Sequence, residues 1–218
     1  ATRGLAVAAL LVAATLCYGA FRLRAEAGAP GRPTFPVVAA QANLDLGTQW
    51  KSEFYGANLA AYTDLTLAAV KGRPAALVLW PECALTFFLE REPTYAAYLA
   101  RVAGAAGATL LTGGPRVLDD DGREQFRNAA FLVTPQGETR LVYEKGRLVP
   151  FAEYFPLAGV TLLRRQFGKV REFTPGATQA PFPTPLGPGG MMICNEAMLG
   201  AEAIDRVRRG AAWLVTLT

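Results

Sequence analysis

The sequence contains no histidine, and this absence restricts the chemistry that the chain can perform. Without an imidazole it cannot form a Ser-His-Asp or Cys-His triad, or a metal site that depends on histidine ligands. Any nucleophile must therefore be activated by a carboxylate, a lysine or a terminal amine. We expect no metal and no cofactor.

Cysteine is scarce as well, with Cys17, Cys83 and Cys194 as the three examples. An odd number without a CxxC pair does not indicate a disulfide framework, so each cysteine is a candidate for reactivity. Cys83 follows Glu82 directly. Neighbours on an extended segment point in opposite directions, so we interpret Cys83 as a packing residue.

The charge is mild, at a formal +4, and lysine and arginine are mostly scattered. No basic stripe, zinc-finger pattern or RNA-binding signature is present, so no nucleic-acid partner is predicted. About half of the residues, 51%, are apolar, which is typical of a folded core and not of a disordered chain. The surplus positive charge is suited to anionic lipid head groups.

An uncharged run of 17 residues, Leu5–Phe21, lies near the start of the chain. Its length is at the short end of what crosses a bilayer, and we predict a transmembrane helix over residues 1–24. A cleavable signal peptide, with a small-residue site at residues 25–27, and a buried core helix are the alternatives. Arginines flank both ends of this run, so the distribution of positive charge does not predict which end of the helix faces the cytoplasm. Residues 25–36, rich in Gly and Pro, are predicted to be a linker.

Residues 37–218 alternate between strand-like and helix-like patterns, which favours an α/β layered domain. A hairpin signal at 135–138 predicts that the sheet is mixed. The chain stops inside an apolar strand, so we expect a truncated domain. The predicted strands are 37–41, 75–80, 108–112 (closed by Gly113-Gly114-Pro115), 128–133, 139–143, 190–193 and 211–217, and the predicted helices are 53–70, 94–106 and 201–209.

Polar residues follow predicted strands in three segments, LVLWPECAL, YEKGRLVPFAEYFPL and MMICNEAML. They place Glu82, Lys145 and Cys194 at strand ends, where sites form in open α/β sheets. Taken singly, each has a common alternative: a helix-capping carboxylate, a surface lysine and a small core thiol.

Taken together, the three residues form a plausible nucleophilic centre without histidine. A free thiol, with a pKa of about 8.5, is mostly protonated at neutral pH. A carboxylate can accept its proton, and an ammonium can stabilise the thiolate and a developing oxyanion. Spacing alone does not establish that they meet, because Glu82 and Cys194 are more than a hundred residues apart.

These segments resemble the nitrilase superfamily of carbon–nitrogen hydrolases, whose triad is Glu-Lys-Cys. The resemblance is closest to its membrane branch, the apolipoprotein N-acyltransferases, and covers about residues 36–218. The K…LVPFxEYxPL pattern is its most specific part, and Thr48-Gln49-Trp50 resembles the family's Gln-x-Asn…Trp region. Asn195 departs from the pattern, since a tyrosine often follows the nucleophile.

The resemblance implies an α-β-β-α sandwich, incomplete at the C-terminus, as the fold of residues 37–218. It implies that a phospholipid donates an acyl chain through a cysteine thioester to the terminal amine of a diacylglyceryl-cysteine apolipoprotein. It also implies a bacterial inner-membrane location with the catalytic domain on the periplasmic face. The residues concerned are Cys194 as nucleophile, Glu82 as general base, Lys145 as oxyanion stabiliser, and Glu153, Glu196, Trp50 and Asn195 as accessory or substrate-binding residues.

Two rival functions remain open. A nitrilase-type amidase would use the same triad but pass the acyl group to water, and a non-catalytic membrane-tethered module would tolerate loss of Cys194. Between the lysine and cysteine segments, residues 155–173 mix apolar and basic side chains. We hypothesise that they form a mobile arm that enters the membrane interface, the alternative being an ordinary amphipathic connector.

Overall fold

A computed structural model describes residues 2–27, 34–45, 50–120, 122–156, 172–177 and 180–218. The chain divides into two compact units, Ala1–Thr34 and Phe35–Thr218. Residues 28–33, half of the predicted linker, lie outside the described residues. The first unit contains helix α1, Thr2–Ala27, whose 26 residues give a length of about 39 Å. Helix α1 is long and apolar enough to cross a membrane, as predicted.

The second unit contains a mixed five-stranded sheet with its strands in sequence order. The first three strands are parallel, and the last three are joined antiparallel. Two further parallel strands form a separate sheet. The strands are β1 (Val37–Ala39), β2 (Leu77–Leu79), β3 (Thr109–Asp120), β4 (Arg123–Val133), β5 (Thr139–Glu144), β6 (Gly189–Ile193) and β7 (Trp213–Leu217).

Three helices cover the sheets: α2 (Tyr55–Val70), α3 (Pro93–Ala106) and α4 (Gly200–Arg208). Helix α3 begins with a proline, whose missing N–H is not needed in the first turn. It ends at Gly107, which adopts the left-handed conformation with φ 60°. Each helix lies close to its sequence prediction.

The layers follow an α-β-β-α order, as the family resemblance implied. Leu59 and Leu99 of helices α2 and α3 pack with Leu110 on one face of the five-stranded sheet. Leu111, the next residue of β3, packs on the opposite face in a core shared with Ile193 of β6. Helix α4 contacts β6 and β7. Because the inner strands are buried on both faces, they have continuous apolar sequences.

Two predicted strand boundaries are wrong, the end of β3 and the start of β4, which begins at Arg123 and not at residue 128. Strand β3 does not end at Gly113-Gly114-Pro115 but continues to Asp120, where it pairs with a correspondingly longer β4. The two glycines do not form a turn; they allow neighbouring residues to pack closely against the strand. A Cβ on Gly113 would overlap the backbone of Glu82, and one on Gly114 would lie 2.6 Å from the Cβ of Leu85.

Candidate active site

Glu82 lies in a turn directly after β2, and this turn is held against β3. The N–H of Gly113 donates to the carbonyl of Pro81 at 3.2 Å, and the N–H of Leu85 donates to the carbonyl of Gly113 at 3.0 Å. Because the chain turns here, Cys83 does not follow the extended geometry assumed above. It is half-buried and lines the same cavity of about 360 Å³ as Glu82.

Lys145 follows β5 and is buried, with 1% of its surface exposed. Its Nζ lies 2.9 Å from Glu153 Oε1 and 3.5 Å from Glu82 Oε1. The side-chain amide of Asn128 donates to both carboxylates, at 2.7 Å to Glu82 and 3.0 Å to Glu153. The N–H of Val149 donates to the other oxygen of Glu153 at 2.8 Å. Glu82, Lys145 and Glu153 are therefore brought together, with Asn128 between the two carboxylates.

The environment raises the pKa of Lys145 above its ordinary value. Burial is the largest single influence and lowers this pKa, because it disfavours the charged form. The hydrogen bond to Glu153 and the negative charges of Glu82, Glu153 and Cys194 together outweigh burial. Lys145 is therefore an ammonium at neutral pH.

Cys194 is the first residue of a 3₁₀ turn, Cys194–Met198, that begins where β6 ends. Its φ of 53° lies in the left-handed region, which costs a residue with a side chain roughly 1–3 kcal/mol. Its half-buried side chain lies at the edge of the core between the two sheets. Strain of this kind concentrates at sites where the direction of one side chain is important.

Glu196 joins the cysteine turn to the lysine loop. Its carboxylate is fully buried, at 0% exposure. It accepts backbone N–H groups from Ile193, Gly146 and Arg147, each at 2.9 Å, and the hydroxyl of Tyr143 at 2.8 Å. These partners lie directly before Cys194 and on both sides of Lys145. These hydrogen bonds of Glu196 therefore position the other two segments.

A buried arginine extends this network. Arg206 donates to the hydroxyl of Tyr143 at 2.9 Å, to the carbonyl of Met191 at 3.1 Å and to Glu202 at 2.8 Å. Glu202 also accepts from Arg147 at 2.8 Å, and the hydrogen bond from Arg147 is the main reason that the pKa of Glu202 is lowered. Burial, followed by the charge of Glu196, raises the pKa of Tyr143, so its hydroxyl remains a donor.

The remaining predicted residues are Trp50 and Asn195. Trp50 lines a second, aromatic cavity of about 500 Å³. Asn195 is half-buried beside Cys194, and its Oδ1 is buried without a hydrogen-bond partner among the described residues. Thr48-Gln49, and residues 157–171 of the hypothesised arm, lie outside the described residues. Across the described ranges, no group of three His, Cys, Asp or Glu side chains is arranged to hold a metal.

Sequence reasoning missed Asn128, Tyr143 and Arg206. Asn128 appears only as a polar residue before the apolar run AAFLV, and such a residue usually marks an ordinary strand end. Tyr143 is two residues before Lys145, on the same side of an extended strand, which was a usable signal. Arg206 belongs to a basic segment, and basic side chains are usually exposed, whereas the side chain of Arg206 is 1% exposed.

The fold and the buried cluster define a chain of the carbon–nitrogen hydrolase type. Residues 38–218 match the carbon–nitrogen hydrolase family, and the chain belongs to that family. Among curated relatives, it is similar to the apolipoprotein N-acyltransferase of Geobacter metallireducens, with 32% identity over 211 residues, or 96% of the chain. The corresponding protein of Rhizobium meliloti is 31% identical over 231 aligned residues. The chain spans 40% and 42% of the lengths of these relatives.

Solved structures support the fold assignment. A carbon–nitrogen hydrolase of Helicobacter pylori superposes with a TM-score of 0.60 at 18% identity, covering 84% of this chain and 59% of that one. A Nesterenkonia amidase of the nitrilase superfamily gives a TM-score of 0.61 at 20% identity, covering 88% and 68%. At these identities the likeness establishes the nitrilase-type fold.

Proposed function

We propose that the protein transfers an acyl chain from a phospholipid to the terminal amine of a diacylglyceryl-cysteine apolipoprotein, with Glu82, Lys145 and Cys194 as its triad. The observation that carries the proposal is the buried ammonium of Lys145, which lies 3.5 Å from Glu82 and 2.9 Å from Glu153 in a loop that Glu196 joins to the turn of Cys194. The names of the acyltransferase relatives support the choice of reaction.

In the first step, Glu82 accepts the thiol proton while the sulfur of Cys194 attacks an ester carbonyl of the phospholipid. A carbon–sulfur bond forms and the carbonyl oxygen becomes an oxyanion, which the nearby Lys145 ammonium stabilises. The intermediate collapses by breaking the carbon–oxygen bond. Glu82 returns the proton to the departing alkoxide, which leaves as a lysophospholipid.

In the second step, the acceptor amine attacks the thioester carbonyl at Cys194. Glu82 removes a proton from the attacking nitrogen and passes it to the departing sulfur as the carbon–sulfur bond breaks, which regenerates the thiol and gives an N-acyl product. Glu153 and Asn128 do not need to contact the substrate in either step. They hold Lys145 and Glu82 in place through hydrogen bonds of 2.7–3.0 Å.

The proposal places the reaction at a membrane surface, because both substrates are lipids. Helix α1 is long and apolar enough to anchor the chain. We place the anchor in the bacterial inner membrane and the second unit on the periplasmic face. This orientation can be tested by introducing a single cysteine at the exposed residue Glu124. In intact spheroplasts, from which the outer membrane has been removed, an impermeant maleimide should label this cysteine.

The three cysteines provide a matched set of variants for testing the nucleophile. After incubation of the full-length protein with phospholipid and no acceptor, peptide mapping should find the acyl mass on Cys194 alone. Cys194→Ala should abolish the adduct, whereas Cys83→Ala and Cys17→Ala should retain it. An adduct that persists in the Cys194 variant would refute the nucleophile assignment.

The general base is tested by Glu82→Gln, which keeps the shape of the side chain but removes its ability to accept the thiol proton. General base catalysis is worth about 10²- to 10⁴-fold, so single-turnover acylation should slow by at least about 100-fold. Glu90→Gln, a change to a partly exposed carboxylate of the same unit, is the control. Acylation at the normal rate in Glu82→Gln would show that another group accepts the proton.

A further inference from the structure

A short segment, residues 172–177, joins the backbones of the two residues that form the buried ion pair of the candidate site. The N–H of Phe173 donates to the carbonyl of Glu153 at 2.8 Å, and the N–H of Gly176 donates to the carbonyl of Lys145 at 2.9 Å. The side chains of this same pair meet at 2.9 Å between Lys145 Nζ and Glu153 Oε1. The 172–177 segment therefore fixes the spacing of the two backbones from which the ion pair is built.

The 172–177 segment is itself attached to strand β4. The N–H of Thr174 donates to the carbonyl of Phe126 at 2.7 Å, and Phe126 pairs with Phe173 in a parallel bridge. Two residues further along β4, the carbonyl of Asn128 accepts the N–H of Lys145 at 2.8 Å. The backbone of Lys145 is thus held at its N–H by β4 and at its carbonyl by the segment.

The close approach of the segment to the lysine loop requires a glycine at position 176. A Cβ on Gly176 would lie 2.3 Å from the Cβ of Glu144 and 2.6 Å from its carbonyl oxygen. Glu144 cannot easily move aside, because it is buried and its carboxylate forms ion pairs with Arg116 of β3 and Arg127 of β4. A larger residue must therefore displace the segment and lengthen its hydrogen bond to the Lys145 carbonyl.

We propose that the 172–177 segment positions the ammonium of Lys145 against Glu153 for catalysis, and that Gly176 is the residue that allows it to do so. The segment acts through the backbones of these two residues and is not required to touch the substrate. The inference rests on the proposed function, in which Lys145 stabilises the oxyanion formed at Cys194. Displacing a catalytic group by about 1 Å can slow a reaction by about 100-fold, so small movements of the segment are expected to be measurable.

Gly176→Ala tests the close approach. In full-length protein in detergent, single-turnover acylation of Cys194 at saturating phospholipid should slow at least about tenfold. The phospholipid concentration that gives half of the maximal rate should change by less than about twofold, because the segment does not bind the lipid. Gly107→Ala is the control, since Gly107 has a φ of 60° with open space around it, so alanine strains the backbone without a collision. Equal acylation rates in the two variants would overturn the proposal.

Pro175→Gly covers the case in which Gly176→Ala fails to fold. Pro175 is exposed and lies between the two donors Thr174 and Gly176, so glycine loosens the segment without adding an atom to the core. Acylation should slow at least about threefold, because a looser segment holds the catalytic group less precisely. Pro185→Gly makes the same change at an exposed residue in the turn before β6 and should leave acylation unchanged. A normal rate in folded Pro175→Gly would contradict the proposal.

The pH dependence of acylation separates a positioning role from a general loss of stability. Burial, the largest single influence, lowers the pKa of Lys145, whereas the hydrogen bond to Glu153 and the negative charges of Glu82, Glu153 and Cys194 raise it. Loosening the segment weakens the bond to Glu153 and so lowers this pKa. Acylation by both segment variants should therefore be lost at a lower alkaline pH than in the wild type. An unchanged alkaline limb would indicate a purely structural role and would refute the proposal.

A measurement without lipid separates failure of this inference from failure of acyl transfer. The rate at which iodoacetamide alkylates Cys194 at neutral pH reports the thiolate, which the ammonium stabilises, and it should fall in both segment variants relative to their controls. If the wild type forms no thioester from phospholipid but this rate falls, acyl transfer is refuted and the role of the segment is kept. If the wild type forms the thioester and the variants acylate like their controls, the reverse holds. Unchanged alkylation without a thioester would refute both.

Discussion

Replacing Glu196 by glutamine tests how the cysteine turn is held to the lysine loop. One oxygen of the carboxylate accepts the N–H groups of Gly146 and Arg147, and the other accepts the N–H of Ile193. Glutamine has the same shape, but one of these oxygens becomes an NH₂ donor. In either orientation of the amide, at least one buried backbone N–H therefore faces another donor and loses its acceptor.

The size of the effect follows from these bonds. A hydrogen bond to a charged group contributes about 1.5–3 kcal/mol, and a buried donor left unpaired costs about 1–3 kcal/mol. We therefore expect Glu196→Gln to lower the free energy of unfolding by about 2–4 kcal/mol. In a unit of this size, 1 kcal/mol corresponds to about 2–4 °C, so the melting temperature should fall by about 4–16 °C.

The assay is thermal unfolding of the full-length protein in detergent, followed by tryptophan fluorescence, together with hydrogen exchange at the three amides. Glu138→Gln is the matched control, because Glu138 forms an exposed ion pair with Arg140, and ion pairs at the surface contribute little to stability. If Glu196→Gln melts within about 2 °C of the wild type and the three amides exchange at unchanged rates, the proposed connection is wrong.

Two other substitutions probe the same centre. Lys145→Met should cost about 3–5 kcal/mol at neutral pH, because it leaves the buried carboxylate of Glu153 without its cation. Because the folded protein raises the pKa of Lys145, this contribution is fully present below the ordinary lysine pKa and is lost as the pH rises through the folded value. When the pH is raised from neutral, the melting curves of variant and wild type should thus converge only in strongly alkaline solution, and convergence at pH 8 would contradict the charge assignment. Gly113→Ala places a methyl group against the backbone of Glu82 and should slow acylation at least tenfold. The control is Gly56→Ala, on an open helical surface, which should leave acylation unchanged and stabilise the folded protein by about 0.5–1 kcal/mol. Equal acylation rates in the two variants would argue against a need for close packing at Glu82.

Much of the fold could be predicted because its strands are buried on both faces. Runs such as AALVLW are apolar throughout, and in a layered α/β chain such runs indicate inner strands. The sequence patterns gave the wrong prediction where a residue is required by packing contacts with residues distant in sequence. Gly113 and Gly114 are typical turn residues, but here they lie inside a strand because Glu82 and Leu85 pack directly over them.

The candidate site was predictable in its parts and not in its assembly. Glu82, Lys145 and Cys194 could each be selected as polar residues that follow apolar strands. That the first two meet at 3.5 Å depends on strand order, which local patterns do not encode and which only the family resemblance implied. The role of Asn128 could not be predicted from the sequence, because it consists of hydrogen bonds to two carboxylates that are distant in sequence.

The most direct test of the central claim is the fate of an isolated acyl-enzyme. Full-length protein carrying an acyl group on Cys194 is freed of phospholipid and divided between buffer alone and buffer with a diacylglyceryl-cysteine peptide. We predict that the thioester persists in buffer and that the acyl group appears on the peptide amine when the peptide is added. Loss of the acyl group to water at the same rate in both portions would contradict acyl transfer and indicate a hydrolase.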